Sequence, residues 1–134
     1  MSGIRRIRPS SFVEGFTLYD AELENGLRLR FAMGGEGPAL LMAHGHPHNH
    51  VIWRKVAPAL ARSRTVILPD LRGYGDSDKP ASDPRHRAYS KVCMALDLHL
   101  LMRELGFGRY DFVGHDRGAR VGHRLALDHP DEVR

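Results

Sequence analysis

A carboxylate set between two glycines, with two guanidinium groups just behind it, is the grouping in this chain best suited to chemistry. The stretch is Val113-Gly114-His115-Asp116-Arg117-Gly118-Ala119-Arg120, and Asp116 stands at the centre of G-x-D-x-G. Before it, Arg109 to Val113 reads as a short apolar strand; after it, Ala119 to His129 carries a helical pattern. A strand, a glycine-bracketed turn and a helix form the context of a nucleophile elbow. There the glycines let two backbone segments approach while the central residue takes a strained conformation that points its side chain outward. The usual central residue is serine. Here it is an aspartate, whose carboxylate can form a covalent ester with a substrate and be regenerated by hydrolysis of that ester. Asp116 is therefore the candidate nucleophile.

Arg117 and Arg120 stand three residues apart at the opening of the following helix, so their side chains can share a face. Guanidinium groups there could grip a substrate carboxylate through bidentate hydrogen bonds, aided by the positive end of the helix dipole. They would also lower the repulsion between an anionic substrate and Asp116. The competing reading, in which either arginine pairs with a structural acid, stays open. His46, His48 and His50 cluster in Gly45-His46-Pro47-His48-Asn49-His50. No companion acid or cysteine stands at ligand spacing, so a loop is the better reading and no metal site or cofactor is expected.

Other polar residues have quieter expectations. His115 flanks the nucleophile, but the side chain before an elbow nucleophile points away from the pocket, which suits packing. Asp70, Arg72 and Asp76 lie on a loop beyond a strand and read as loop-fixing hydrogen-bonders. Trp53 reads as core more than site wall. Cys93, the single cysteine, reads as a buried thiol on a helix.

The elements that position these residues follow from pattern. Gly15 to Glu22 and Leu27 to Met33 flank Asn25-Gly26 and predict a hairpin with a two-residue turn. Ala39 to Ala43 and Thr65 to Leu68 are apolar runs too short for helices, and fit strands buried on both faces. A helix is expected from Val51 to Arg62, kinked or shortened by Pro58. A longer one is expected from Tyr89 to Leu105, with Val92, Ala95, Leu96, His99, Leu100 and Met102 at helical spacing and Gly106 as its stop. Strands alternating with helices after an initial hairpin imply an α/β fold: a mixed, mostly parallel sheet covered by helices on both faces.

Composition excludes several classes. With 134 residues there is room for one domain, and 42% hydrophobic with 27% charged residues is ordinary for a globular chain. No apolar run approaches a membrane span, and MSGIRRIRPSSF lacks the apolar core of a secretory signal, so a cytoplasmic location and no membrane partner are expected. The net charge is +4. Its lysines and arginines are scattered among acids, which argues against nucleic acid. Only Arg5, Arg6 and Arg8 cluster, and they read as a solvated tail.

His44-Gly45-His46-Pro47 after the third expected strand, Asp70 to Ser77 (DLRGYGDS) after the fourth and GHDRGARV after the fifth resemble the N-terminal half of an α/β-hydrolase-fold enzyme. The resemblance covers nearly the whole chain. An aspartate at the elbow is similar to the dehalogenases and epoxide hydrolases of that fold. Arg117 with Arg120 most resembles the fluoroacetate (haloacetate) dehalogenases, since haloalkane dehalogenases and epoxide hydrolases typically carry Trp where this chain has Arg117. The resemblance implies a small 2-haloacid substrate, with a histidine that later activates water against the Asp116 ester. It assigns the oxyanion hole to the backbone N–H groups of His46 and Arg117. Its usual residue at the position of His46 is an apolar aromatic, so the imidazole alters the site mouth while the backbone donor survives.

In the chain order nucleophile, acid, histidine, the latter two come after the elbow helix. No such pair is found before residue 134, and the lid and later strands are expected to be missing too. The chain is thus expected to be the N-terminal part of a hydrolase core, truncated after the elbow helix, with the elbow strand left as an unpaired apolar edge. A companion chain or homo-oligomer could complete it. Two alternatives remain: an epoxide hydrolase of the same fold, and a catalytically inert fragment that acts only by association.

Overall fold

The structure, a computed structural model, describes residues 3–134. It opens with three antiparallel strands: β1 (Ile4–Pro9), β2 (Thr17–Glu22) and β3 (Arg28–Gly34). The hairpin between β2 and β3 closes on Leu23, whose N–H donates to the Leu27 carbonyl at 2.9 Å. Glu24, Asn25 and Gly26 lie between them, so the turn is one residue longer than expected. Gly26, at φ +84°, supplies the left-handed residue that ends a three-residue hairpin loop. β1 overturns the reading of a solvated tail. Arg5 lies 3.1 Å from the carboxylate of Asp20, and Ile4 and Ile7 pack on opposite faces of the sheet. An odd spacing of apolar residues gives a strand one anchor per face, a pattern that three arginines obscure.

β4 (Ala39–Ala43), β5 (Thr65–Pro69) and β6 (Asp111–Gly114) complete a single sheet in the order β1-β2-β3-β5-β4-β6. It is mixed: parallel across β5, β4 and β6, antiparallel from β1 to β5. All of β4 is buried, as a strand covered on both faces should be. The C-terminal ends of β4, β5 and β6 emerge along one rim, which brings the loops after them together.

Helices cover both faces. Between β4 and β5, one helix gives way to a 3₁₀ turn (His50–Trp53) and a single-turn α1 (Ala57–Leu60). Pro58 sits in the first turn of α1, the position where a missing N–H costs nothing, so the helix must begin there and not at Val51. Trp53 and Leu60 close one core layer with Phe16, Leu40, Met42 and Leu68. On the other face α2 (Lys91–Glu104) and α3 (Arg117–Asp128) lie over Phe31, Leu41 and Ile67. α2 buries Met94, Ala95, Asp97, Leu98, Leu101 and Met102, leaving Val92 and Leu96 exposed. Apolar residues run nearly all the way round this helix, so its pattern does not select the buried face. Cys93 on its flank is half-buried, where a buried thiol was expected.

β6 is the last strand of the sheet, yet its beginning is partnered. Val133 bridges Tyr110 in parallel, the Tyr110 N–H donates to the Glu132 carbonyl at 2.9 Å, and the Arg134 N–H donates to the Tyr110 carbonyl at 3.0 Å. The edge expected to be unpaired is thus capped at that end. Val113 remains 40% exposed. No helix among the described residues is long and apolar enough to cross a membrane.

Candidate active site

β6 delivers the chain to the rim and α3 carries it away, with Asp116 between them at φ 56° and ψ −119°. That conformation is unfavourable for any residue with a side chain and persists only where the surroundings enforce it. The enforcement is close packing. A Cβ on Gly118 would lie 2.2 Å from the Ala43 carbonyl oxygen, so only glycine lets α3 start against the end of β4. The result is an exposed carboxylate at the N-terminus of α3.

Asp116 Oδ2 accepts the His46 backbone N–H at 3.1 Å. That bond, with the adjoining Arg117 backbone N–H, holds the Asp116 carboxyl below the usual carboxylate range against a desolvation penalty, and the charges of His115 and Arg120 add to it more weakly. Of the two N–H groups singled out in the sequence, that of His46 reaches the carboxyl group at hydrogen-bond distance, and that of Arg117 adjoins it in the chain. The peptide bond between His46 and Pro47 is cis.

Arg117 is half-buried and its Nη1 donates to the Tyr74 hydroxyl at 2.6 Å. Nδ1 of His46 lies 2.9 Å from the same hydroxyl. Arg120 is exposed, and no ion pair holds it among the described residues. No structural acid pairs with Arg117 there either. Lys91, the first residue of α2, belongs to the same group of cations: burial pushes its ammonium below the ordinary lysine range, and the charges of Arg117 and Arg120 push it further. Neither Tyr74 nor Lys91 stood out in the sequence. The glycines flanking Tyr74 could have drawn attention to it; Lys91 carries no signal.

The supporting loop is held as its residue types suggested. Asp70 is buried and takes the backbone N–H and Nδ1 of His50 on Oδ1, each at 2.8 Å, and the Asp76 N–H on Oδ2 at 3.1 Å. Arg72 reaches across to α2 with a bidentate bond to Asp97, both contacts at 2.7 Å, and caps the Ala88 carbonyl. Asp76 itself pairs with Arg30. His44 is buried, donates from Nδ1 to the Gly45 carbonyl and accepts the Leu71 N–H on Nε2 at 3.0 Å. Burial pushes its imidazole below the ordinary histidine range.

The remaining histidines go separate ways. His50 is committed to Asp70, with Nε2 buried and unpartnered, and the His48 ring lies 6.0 Å from that of His115. His99, His129 and Glu132 do bring metal-ligating types together among the described residues, at the opposite end of β6 from Asp116. The two imidazoles are stacked at 3.7 Å with planes 5° apart. Their in-plane lone pairs run side by side and do not converge, and Glu132 already accepts from the Tyr110 hydroxyl and His99.

A family model described as the alpha/beta hydrolase fold matches residues 38–134. Among curated relatives, a fluoroacetate dehalogenase of a Burkholderia species is 58% identical over 101 residues, which are 75% of this chain and 33% of the relative. A soluble epoxide hydrolase of a Corynebacterium species is 41% identical over 109 residues, 81% of this chain and 36% of the relative. A crystal structure of a candidate acyltransferase from Salmonella enterica superimposes with a TM-score of 0.95 at 64% identity, covering 96% of this chain and 43% of that one. The chain spans about a third of the length of these two curated relatives.

Proposed function

This chain belongs to the α/β-hydrolase fold family, and we propose that it carries the nucleophile of an enzyme that hydrolyses the carbon–halogen bond of a small 2-haloacid such as haloacetate. One observation carries the reading: the Asp116 carboxylate, seated on the His46 N–H, has Arg117 beside it and Arg120 one helical turn further on. An anionic nucleophile surrounded by cations suits a substrate that is itself an anion. The likeness to a fluoroacetate dehalogenase supports the same reading.

In this scheme Arg117 and Arg120 grip the substrate carboxylate. Oδ1 of Asp116 attacks the halogen-bearing carbon; the C–O bond forms as the carbon–halogen bond breaks, and halide leaves with the bonding pair. The ester carbonyl is then Cγ–Oδ2 of Asp116 itself. When a base removes a proton from water and the oxygen adds to Cγ, negative charge grows on Oδ2, where the His46 N–H already donates. Collapse breaks the Cγ–Oδ1 bond and expels the 2-hydroxyacid, whose new hydroxyl oxygen was Oδ1 and takes its proton from the base; the water oxygen stays on Asp116, and its remaining proton passes to solvent, which restores the carboxylate. In the chain order of this fold the base is a histidine after the elbow helix; His44, buried with both ring nitrogens engaged, is not available for that step.

An epoxide hydrolase of the same fold would use Asp116 to open an epoxide, a reading supported by the Corynebacterium relative, but it gives Arg117 no task. Assays of the full-length protein separate the two: halide release from fluoroacetate or chloroacetate is expected, and epoxide turnover without halide release would overturn the dehalogenase reading. Intact mass spectrometry of the protein with its water-activating histidine removed adds a second view, a carboxymethyl group retained on Asp116.

A further inference from the structure

The His46 side chain faces a different partner from its backbone. While the backbone N–H donates to Asp116, Nδ1 lies 2.9 Å from the Tyr74 hydroxyl, which also receives Arg117 Nη1 at 2.6 Å. Donor rules fix the Arg117 end of this chain of bonds, and with Nδ1 of His46 unprotonated they fix the His46 end as well. A guanidinium can only donate, so the Tyr74 oxygen accepts from Arg117; its own proton is then free to go to His46, whose Nδ1 accepts. Both aromatic rings pack edge to face at 5.7 Å, which holds the hydroxyl between its two partners.

Resting on the dehalogenase reading above, we propose that Tyr74 and the His46 imidazole are positioning residues that fix the guanidinium of Arg117 for the substrate carboxylate. An arginine side chain left free at the rim would sample many rotamers and lose much of that freedom on binding. One Nη1 proton tied to Tyr74 holds the plane of the fork and leaves its other donors for the carboxylate. Because His46 anchors both Asp116, through its backbone, and Arg117, through its ring and Tyr74, the distance between nucleophile and carboxylate grip is set by one residue. A phenylalanine ring at this position could not accept the hydroxyl, so the imidazole gives this chain a connection that an apolar aromatic would lack.

The test uses the full-length protein with Tyr74→Phe, His46→Phe and His46→Gln. Loss of either end of the relay is expected to raise KM for haloacetate about fivefold to tenfold, with a smaller change in kcat. Gln at 46 can accept the Tyr74 hydroxyl through its side-chain carbonyl and is expected to restore KM most of the way. A structural role alone would not give that split or that rescue. Guanidinium resonances of Arg117, assigned by their loss in Arg117→Lys, give a readout independent of turnover: rotation about the guanidinium bonds is expected to be hindered in the wild type and His46→Gln, and freed in Tyr74→Phe and His46→Phe. Wild-type protein without haloacid turnover would sink the dehalogenase reading while the resonances still judge the relay. An unchanged KM, or Arg117 resonances equally hindered in Tyr74→Phe, would overturn the relay itself.

Discussion

Gly45 and Asp116 are in contact so close that a Cβ on Gly45 would stand 2.6 Å from the Asp116 Cβ and 3.0 Å from its Oδ2. The loop after β4 and the elbow after β6 meet at this point, and the absence of a side chain at 45 lets the His46 N–H reach the carboxylate. Gly45→Ala is therefore expected to displace Asp116 and lower kcat/KM about 10²-fold, the scale of a misplacement near 1 Å. Steady-state halide release checks it; wild-type turnover in the alanine variant would show that this contact does not set the geometry.

The Asp116 carboxyl is held below the usual carboxylate range by the His46 and Arg117 N–H groups. A lowered value favours the charged form, so the nucleophile stays ionised through neutral and mildly acidic pH and is protonated only below the ordinary aspartate value. A carbon-13 titration of the labelled Asp116 carboxyl is expected to show its midpoint below that value. Asp116→Asn, which keeps the shape and removes the anion, is expected to cut turnover about 10³-fold or more.

Asp70 joins stability to pH. Burial pushes its carboxyl up, but bonds from the His50 side chain and from the His50 and Asp76 N–H groups, with the charge of His50, outweigh this and leave it below its ordinary value. A depressed folded value means the carboxylate contributes stability fully above the unfolded aspartate pKa, and that contribution is lost as pH falls through the folded one. Asp70→Asn is expected to cost about 2 kcal/mol at neutral pH. In acid, below the folded value, the variant and the wild type should converge. Urea unfolding at both pH values measures the difference, and a gap that persists in acid would assign the effect to shape alone.

Arg72 and Asp97 tie the loop bearing Tyr74 to α2, and both are nearly buried, at 8% and 1% exposure. Arg72→Ala strands the Asp97 carboxylate in the core and is expected to cost about 3 to 5 kcal/mol. Replacing both residues with leucine removes the stranded charge and should recover part of the loss. Thermal melts of the two variants decide it: a double variant less stable than Arg72→Ala would mean that the pair contributes more than charge compensation.

How far these features were legible depends on how local they are. The elbow could be read because strand, glycines, aspartate and helix are contiguous, and the roles of Asp70, Arg72 and Asp76 followed from acids and an arginine on a loop beyond a strand. Helix limits near Pro58 were readable in kind but not in extent. The strand at Ile4–Pro9 was hidden because its two apolar anchors, Ile4 and Ile7, sit among three arginines and its ladder partner, β2, follows only later in the chain. The spacing of apolar residues along α2 did not single out its buried face, because they do not form one stripe. Tyr74 was missed for a different reason: its bond to Arg117 spans 43 positions, a relationship created only when the loops after β5 and β6 meet at the rim.

The most direct measurement is a single turnover of haloacetate by the full-length protein in water enriched in oxygen-18, with enzyme in excess. If Asp116 forms the ester, the hydroxyl oxygen of the first 2-hydroxyacid comes from its carboxylate and is unlabelled, while the heavy oxygen is found in the peptide carrying Asp116. Heavy oxygen in that first product, with Asp116 unlabelled, would mean that water attacks the substrate directly and would contradict the account.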